Sequence, residues 1–245
     1  MTRIFIFGVS GKMGRFIVDM AKENPNCEVV GGFDVFPHPE VPTYTSVDEV
    51  PDNFDVIVDF SRAEVLPSVT ALCLKYGKPA VLASTGYSDE QVASIKTLSE
   101  KVAILRSGNM SLGVNLILDL VEKATSVLAD FDVEIVEKHH NQKADAPSGT
   151  ALMLADKVKG VREDARFLYG REGASKREKQ DVTIHAVRGG SIVGEHDVIF
   201  AGADEIVTIS HTALSRKIFA NGAIKASLFL HGKKSGLYSM KDALK

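Results

Sequence analysis

Apolar positions in the first hundred residues fall into short runs separated by stretches with helical spacing. Five runs of β-branched or aromatic residues are apolar on both faces, which is typical of strands covered by helices on each side. These runs lie at 4–7, 28–33, 56–60, 80–83 and 102–105. Helical spacing follows three of them, at 11–24, 63–77 and 88–100, the last beginning with a capping-box pair, Ser88 and Gln91. The alternation predicts a doubly wound parallel α/β sheet.

The pattern changes after residue 109. A helical segment at 112–129 leads to a strand at 132–138, and a second helix is predicted after Pro147. The polar segment 159–180 has no clean periodicity and is interpreted as a mobile surface excursion. Three further strands, with glycine-containing turns between them, are predicted at 181–187, 194–200 and 204–211. This part of the chain is therefore predicted to be an α+β domain with an open mixed sheet.

The last helical stretch, at 215–232, is expected to return to the first domain. The predicted boundaries are accordingly 1–110 with 216–245 for the first domain and 111–215 for the second. An open apolar sheet face on so small a domain favours oligomerisation as its cover.

Composition limits the possible functions. The chain has 245 residues, of which 44% are hydrophobic and 25% are charged, as in globular proteins. Its formal net charge of −3 lacks the basic excess of a protein that binds nucleic acid or anionic membranes. No apolar run approaches membrane-spanning length, and the run at 4–9 is too short for a secretory segment. Cys27 and Cys73 lie in apolar stretches typical of buried reduced thiols, so we expect a cytoplasmic protein.

A glycine turn follows the first predicted strand and opens the first predicted helix. Gly8 permits a tight turn, Gly11 lets the backbone approach a pyrophosphate, and Gly14 lets the helix lie close to the strand. Asp34 ends the second strand 20 residues after Gly14, where a carboxylate can accept hydrogen bonds from the ribose of an adenosine. The context predicts a dinucleotide site, and the alternative is a purely structural turn with a chance acid nearby.

Two later turns belong to the same crevice if the sheet is doubly wound, because ligands bind beyond the carboxyl ends of such strands. One is Asp59-Phe60-Ser61 and the other is Ser84-Thr85-Gly86. The second has small residues suited to a ribose or a carboxamide, although a plain strand-to-helix loop has the same composition.

The densest polar stretch of the chain, 137–150, lies between a predicted strand and a predicted helix. If Pro147 occupies the first helical turn, the amides that follow it are unpaired donors at the positive end of the helix, which is suited to binding a carboxylate. Lys143 adds a positive charge to the same stretch. The amides in question belong to Ser148, Gly149 and Thr150.

His139 or His140 supplies an imidazole able to donate a proton near neutral pH. Adjacent residues on a strand point to opposite faces, so we expect only one of the two to take part in chemistry. A zinc site formed by His139, His140 and one further histidine (His185, His196 or His211) is an alternative, but it lacks the usual ligand spacing, so no metal site is predicted. A purely structural helix cap is the remaining alternative.

Taken together, these motifs resemble the 4-hydroxy-tetrahydrodipicolinate reductase (dihydrodipicolinate reductase) family, and the likeness spans nearly the whole chain. Its most specific part is the string His-His-x-x-Lys-x-Asp-Ala-Pro-Ser-Gly-Thr at 139–150. Shorter matching segments are Gly-Val-Ser-Gly-Lys-Met-Gly at 8–14, Asp-Phe-Ser at 59–61, Ser-Thr-Gly at 84–86, 109–115, 187–196 and 215–223.

The resemblance implies a Rossmann-type domain, and a reductase that transfers hydride from NAD(P)H to the cyclic dicarboxylate 4-hydroxy-tetrahydrodipicolinate. It implies that His139 is the general acid, that Lys143 and His140 hold the substrate, and that the amides of Gly149 and Thr150 bind a carboxylate. It also implies a homotetramer built through the second domain. The motifs and the resemblance together predict the cofactor-binding residues Gly8, Ser10, Gly11, Lys12, Met13, Gly14, Asp34, Ser84, Thr85, Gly86, Ser107, Asn109 and Met110.

The residues around Asp34 bear on which nicotinamide is used. Its charge favours a free 2′-hydroxyl, and no cation follows it, since Val35, Phe36 and Pro37 come next. Lys12 can reach a 2′-phosphate, so both cofactors are expected to serve, with NADH used at least as well as NADPH.

Two alternatives differ in what they require of the polar stretch. A related amino-acid dehydrogenase, such as an aspartate dehydrogenase, would leave 137–150 without a role. A non-catalytic dinucleotide sensor would keep the glycine turn and need neither His139 nor Lys143.

Overall fold

The computed structural model describes residues 1–244, which form two compact units. Unit 1 comprises residues 1–112 together with the chain from 217 onward, and unit 2 comprises residues 113–216. No helix among residues 1–244 is both long enough and apolar enough to cross a membrane.

The strands are β1 (Thr2–Phe7), β2 (Cys27–Phe33), β3 (Thr43–Tyr44), β4 (Val56–Asp59), β5 (Ala80–Leu82), β6 (Ala103–Arg106), β7 (Asp132–His139), β8 (Arg166–Tyr169), β9 (Asp181–Arg188), β10 (Gly194–Ala201), β11 (Ile206–Ala213) and β12 (Gly236–Tyr238). The helices are α1 (Lys12–Lys22), α2 (Leu66–Tyr76), α3 (Asp89–Ser99), α4 (Leu112–Val127), α5 (Gly149–Lys159), α6 (Lys217–Leu230) and α7 (Met240–Ala243).

Unit 1 contains a seven-stranded parallel sheet in the order β12-β6-β5-β4-β1-β2-β3. Helices cover both faces of the sheet, and alternate side chains of each strand point to opposite faces. Ile4 and Ile6 of β1 belong to one core cluster, with residues of α1 and α6. Phe5 and Phe7 belong to another, with residues of α2 and α3. The doubly wound parallel sheet that the sequence predicts is therefore confirmed.

The N-terminus of α3 has the predicted capping box. The Ser88 hydroxyl accepts a hydrogen bond from the Gln91 amide at 3.3 Å, and the Gln91 side chain accepts one from the Ser88 amide at 3.0 Å. The two reciprocal bonds fix where this helix begins.

Unit 2 contains a five-stranded sheet in the order β11-β10-β7-β9-β8. β10 runs antiparallel to both of its neighbours, whereas β7, β8 and β9 run parallel to one another, so the sheet is mixed as predicted. Alternate residues of β7 are buried on the face covered by α4 and α5. This buried series begins with Val133 and Ile135 and ends with Glu137 and His139, so the polar pair continues an apolar row.

The segment 159–180, interpreted from the sequence as a surface excursion, contains a strand that the sequence did not predict. β8 lies inside it and pairs with β9 at the edge of the sheet. Farther along, the guanidinium of Arg177 donates to Asp132 at 2.7 Å and to Glu134 at 3.2 Å. A four-residue edge strand with little burial leaves no periodicity to detect, and the anchoring bonds join residues distant in sequence.

Candidate active site

The turn between β1 and α1 has no room for a side chain at Gly8 or Gly14. Gly8 has φ +82°, and a Cβ there would lie 3.0 Å from the carbonyl oxygen of Phe60. A Cβ on Gly14 would lie 2.3 Å from the carbonyl oxygen of Gly8. α1 begins at Lys12 after Gly11, without a side-chain cap and without an acidic residue in its first turn. The first-turn amides, which have no acceptor within the helix, are thus presented at a positive helix end.

Asp34 is held beside this turn by backbone amides. Its carboxylate accepts hydrogen bonds from the amide of Ser10 at 3.0 Å and from that of Phe36 at 3.3 Å. Asp34 lines a cavity of about 440 Å³ together with Gly8 and Gly11. The cradle that a Cβ would fill, the uncapped helix start and the fixed carboxylate together fit the pyrophosphate and ribose of a dinucleotide.

Arg62 also lines this cavity, and the sequence prediction did not include it. It is exposed and follows Asp59-Phe60-Ser61, one of the turns that the sequence placed in the crevice. Its guanidinium places a positive charge at the cavity that Asp34 lines, whereas no basic residue directly follows Asp34 in the sequence. The available signal was this neighbouring turn and not the glycine motif.

The turn after β5 is partly inaccessible. Ser84 is buried, whereas Thr85 and Gly86 are exposed. Beneath the turn, the buried carboxylate of Asp59 accepts a hydrogen bond from the Tyr87 hydroxyl at 3.1 Å. Burial and the Asp59 charge together raise the pKa of Tyr87 far above its usual value. The exposed part of this turn is therefore Thr85 and Gly86.

The turn at 107–110 is fixed by its own side chains. The Ser107 hydroxyl donates to the Asn109 carbonyl at 2.7 Å, and the Asn109 side chain accepts from the Ser111 amide at 2.8 Å. Met110 is 2% exposed and belongs to the core of unit 1. The structure thus places its side chain in the core, and of the predicted cofactor residues in this turn only Ser107 is not buried.

The carboxylate of Glu137 is fully buried in unit 2 and has four hydrogen bonds. Arg188 donates two of them, at 2.8 and 2.6 Å, and the amide of Ser148 donates a third at 2.9 Å. The fourth joins Glu137 to Nδ1 of His139 at 2.6 Å. Burial acts to raise the pKa of Glu137, but the bonds from Arg188 and His139 outweigh it and hold the pKa below its usual value. The sequence prediction assigned no role to Glu137 or Arg188.

The imidazole of His139 is buried, and its two ring nitrogens differ in hydrogen bonding. Its ring lies edge-on to that of His196, with centroids 5.2 Å apart. Burial lowers the pKa of His196 to about 4, with His139 adding to the effect, so His196 is neutral near pH 7. Among residues 1–244, Nε2 of His139 has no hydrogen-bond partner, and a Cβ on Gly194 would lie 3.0 Å from it. Burial lowers the pKa of His139 as well, against the opposing effect of Glu137.

Lys143 and His140 each have a partner that the sequence did not reveal. The Nζ atom of Lys143 lies 2.8 Å from a carboxylate oxygen of Asp145. Nε2 of His140 lies 3.1 Å from the guanidinium of Arg216. Since Arg216 lies 76 residues from His140 along the chain, only the fold brings the two together.

The start of α5 differs from the prediction. Ser148 is the N-cap and the helix begins at Gly149, so Pro147 lies before the cap and not in the first turn. The Ser148 amide donates to Glu137, and the Ser148 hydroxyl accepts from the amide of Ala151 at 3.2 Å. The prediction that the Ser148 amide faces a ligand is therefore wrong. Gly149 and Thr150 remain in the first turn.

Among residues 1–244, no group of three or more His, Cys, Asp or Glu side chains is arranged to hold a metal ion.

A parallel sheet with a glycine turn before its first helix, joined to a domain that carries an imidazole and a lysine, is an architecture of pyridine-nucleotide-dependent reductases. Comparison with known proteins agrees with this class. The family model for the N-terminus of dihydrodipicolinate reductase matches residues 2–110, and that for the C-terminus matches residues 113–244. The chain belongs to the dihydrodipicolinate reductase family.

Relatives with this name match along their whole length. The chain is 49% identical over 248 residues to the 4-hydroxy-tetrahydrodipicolinate reductase of Caldanaerobacter subterraneus subsp. tengcongensis, covering 100% of this chain and 99% of the relative. It is 47% identical to that of Clostridium botulinum, covering 100% and 98%. A solved structure, the dipicolinate-bound dihydrodipicolinate reductase from Paenisporosarcina sp. TG-14, superposes with a TM-score of 0.84 at 27% identity over all of both chains. These matches confirm the predicted fold class and the resemblance.

Proposed function

We propose that this chain reduces 4-hydroxy-tetrahydrodipicolinate to tetrahydrodipicolinate, in lysine and diaminopimelate biosynthesis, with a reduced nicotinamide dinucleotide as hydride donor. Besides the family, one observation carries the proposal. Nδ1 of His139 is hydrogen-bonded to the buried carboxylate of Glu137, whereas Nε2 has no hydrogen-bond partner among residues 1–244. The same short segment holds Lys143 and the start of α5. An acid and two anion-binding groups are what a cyclic dicarboxylate requires when it is reduced.

The chemistry assigns a role to each of these groups. Loss of water from the substrate leaves a conjugated C=C–C=N system, and a nicotinamide, when bound, would supply the hydride for its reduction. His139 donates the proton from Nε2 to the enamine-like carbon that results. Lys143, His140 and the amides of Gly149 and Thr150 bind the two carboxylates, whose negative charge also favours the protonated form of His139.

For the cofactor we propose a site along the glycine turn and the neighbouring turns of unit 1. The close contacts at Gly8 and Gly14 support it, because the backbone there is shaped to admit a pyrophosphate. The residues involved are Gly8, Ser10, Gly11, Lys12, Met13, Gly14, Asp34, Ser84, Thr85, Gly86, Ser107, Asn109 and the backbone of Met110.

Both nicotinamide dinucleotides are expected to serve. The fixed carboxylate of Asp34 favours the free 2′-hydroxyl of NADH. Lys12 and Arg62 offer positive charge to the 2′-phosphate of NADPH, and Arg62 lines the same cavity as Asp34. We therefore expect kcat/KM with NADH to equal or exceed that with NADPH, by less than about tenfold, which corresponds to about 1.4 kcal/mol.

We further propose that unit 2 is the substrate-binding and oligomerisation domain of a cytoplasmic homotetramer. Ile206, Val207 and Leu214, on and just after β11, are exposed apolar residues that a partner subunit would cover. The buried free thiols of Cys27 and Cys73 suit a reducing compartment. Light scattering on the purified protein measures the assembly directly.

The reaction is tested by following nicotinamide absorbance while the upstream synthase supplies the unstable substrate in situ. We expect cofactor oxidation that depends on both the synthase product and the purified chain. Binding of NADH without substrate-dependent oxidation would favour a dinucleotide sensor and overturn the assignment.

A further inference from the structure

We propose that Glu137 is a positioning residue for this reduction. It holds neutral His139 in the tautomer that carries its proton on Nδ1, so that Nε2 is the atom that takes up and delivers the catalytic proton. The inference rests on the proposed function of His139 and goes beyond it, because it makes the choice of the proton-carrying nitrogen of His139 depend on a second residue.

The tautomer follows from hydrogen-bonding capacity. An ionised carboxylate only accepts, so the 2.6 Å contact between Glu137 and Nδ1 of His139 requires the proton on Nδ1. Glu137 is kept ionised by the two bonds from Arg188 and by the amide of Ser148. When Nε2 gains a proton the imidazolium lies against this carboxylate, and when Nε2 gives the proton up the ring returns to the same tautomer.

Strand pairing fixes this arrangement. Glu137 and His139 alternate on β7, so they share the face of the sheet that packs on α4 and α5. On β9, Arg188 lies opposite His139, and on β10, His196 lies opposite Glu137. Three neighbouring strands thus set the position of one imidazole, and rotation of the ring would break the bond to Glu137.

The charges that act on His139 come from a small set of groups. Glu137 on β7 is the anion, Arg188 on β9 and Lys143 in the following loop are cations, and His196 on β10 is neutral. The two cations and burial all disfavour the imidazolium, and among residues 1–244 Glu137 is the group that opposes them. Removing its charge should therefore make His139 a weaker base at Nε2 as well as a less ordered one.

The chain contains a matched control on the other face of the same sheet. Glu134 on β7 accepts from Nε2 of His185 at 2.9 Å and from the guanidinium of Arg177 at 3.2 Å. These are the same three residue types joined by the same kinds of bond. Neither Glu134 nor His185 belongs to the proposed site, so Glu134→Gln removes a comparable charge from the strand without touching the acid.

The test is the pH dependence of kcat in Glu137→Gln and Glu134→Gln. A general acid fails as the pH rises through its pKa, so Glu137→Gln should move this alkaline limb to lower pH by about one pH unit. It should also lower kcat by roughly 10- to 100-fold, with a smaller change in KM. Glu134→Gln should match the parent enzyme in both. A folded Glu137→Gln enzyme whose limb does not move would overturn the proposal.

A second measurement keeps the proposal testable if Glu137→Gln does not fold. Nitrogen-15 NMR of the imidazole in the unmodified, ligand-free protein reports which nitrogen of neutral His139 carries the proton. We expect Nδ1, and a proton on Nε2 would refute the inference. This measurement needs no turnover, so it separates failure of the inference from failure of the proposed function, which the synthase-coupled assay reports on its own.

Discussion

The two candidate binding regions of this chain use different chemical groups, backbone amides in one and side chains in the other. Around Gly8 and Gly14 the available groups are backbone amides, and the main requirement on side chains is that none be present. Around His139 the available groups are side chains, each held by a partner such as Glu137 or Arg188. Substitutions of the two glycines should therefore act through shape, and substitutions around His139 should act through charge.

The largest expected effect separates proton transfer from cofactor binding. His139→Ala should lower kcat by roughly 10²- to 10⁴-fold, because a general acid acts in the transition state. The Kd for NADH should not change, since the glycine turn is intact. Steady-state kinetics and fluorescence titration measure the two quantities, with His185→Ala as the control. A near-normal kcat in His139→Ala would transfer the role of acid to His140 as the next candidate.

Gly14→Ala should have the converse effect. The added Cβ would lie 2.3 Å from the Gly8 carbonyl oxygen, so the turn must shift, at a cost of about 1–3 kcal/mol in the free energy of unfolding. We expect NADH binding to be lost while the His139 region is unaffected. Gly160→Ala is the control, because Gly160 has ordinary helical φ −63° and a Cβ there meets nothing closer than 3.4 Å. Unchanged NADH affinity in Gly14→Ala would remove the glycine turn from the cofactor site.

The two units should also respond to acid in different pH ranges. Burial lowers the pKa of His196 in unit 2 to about 4. As the pH falls, His196 is therefore protonated in the unfolded chain before it is protonated in the folded one, and the free energy of unfolding decreases between about pH 6.5 and 4. The loss amounts to about 2–3 kcal/mol. In unit 1, the hydrogen bond and charge of Arg3 hold the pKa of Asp55 near 2, so its contribution is lost only between about pH 4 and 2.

Hydrogen exchange distinguishes these ranges strand by strand. Amides of β10 should lose protection between pH 6.5 and 4, while those of β1 keep theirs. His196→Gln should flatten the dependence in unit 2, with His231→Gln as a control in unit 1. Equal loss of protection in both strands would contradict the assignment of this pH range to His196.

The smallest expected effect concerns cofactor choice. Arg62→Ala and Lys12→Ala should each weaken NADPH more than NADH, by a few-fold, because exposed charge pairs contribute at most about 1 kcal/mol. Measurement of kcat/KM with each cofactor checks this, and Arg15→Ala serves as the control on the same helix. An NADPH preference of about tenfold in the unmodified enzyme would mean that Asp34 does not dominate recognition.

The sequence predicted most of the fold because period-two and helical patterns are local. The alternation of Ile4 and Ile6 with Phe5 and Phe7 predicts a strand buried on both faces, and that is where β1 lies. Elements of two to four residues, such as β3 and β12, are too short to show a period. β8 was missed for the same reason.

The candidate site was predictable only as far as its residues are neighbours in the chain. His139, Lys143 and Gly149 stand within one short string, so residue chemistry alone brought them forward. Arg188 lies 51 residues from Glu137, and strand register brings them together. The Ser148 amide was misassigned because its acceptor, the Glu137 carboxylate, can be identified only once the start of α5 is seen against β7.

The discontinuous chain of unit 1 has a consequence for the ribosome. β1 to β6 are made first, but part of their core belongs to α6, whose Ala220, Ala223 and Leu230 join the cluster around Ile4 and Ile6. About one hundred residues of unit 2 must be translated in between, which takes about 5–20 s at common elongation rates. During that interval unit 2 is synthesised as one continuous stretch, and the sheet face that α1 and α6 share in the folded unit has only α1 to cover it. The nascent enzyme is thus exposed to aggregation and chaperone binding at its cofactor domain, although that domain leaves the ribosome first.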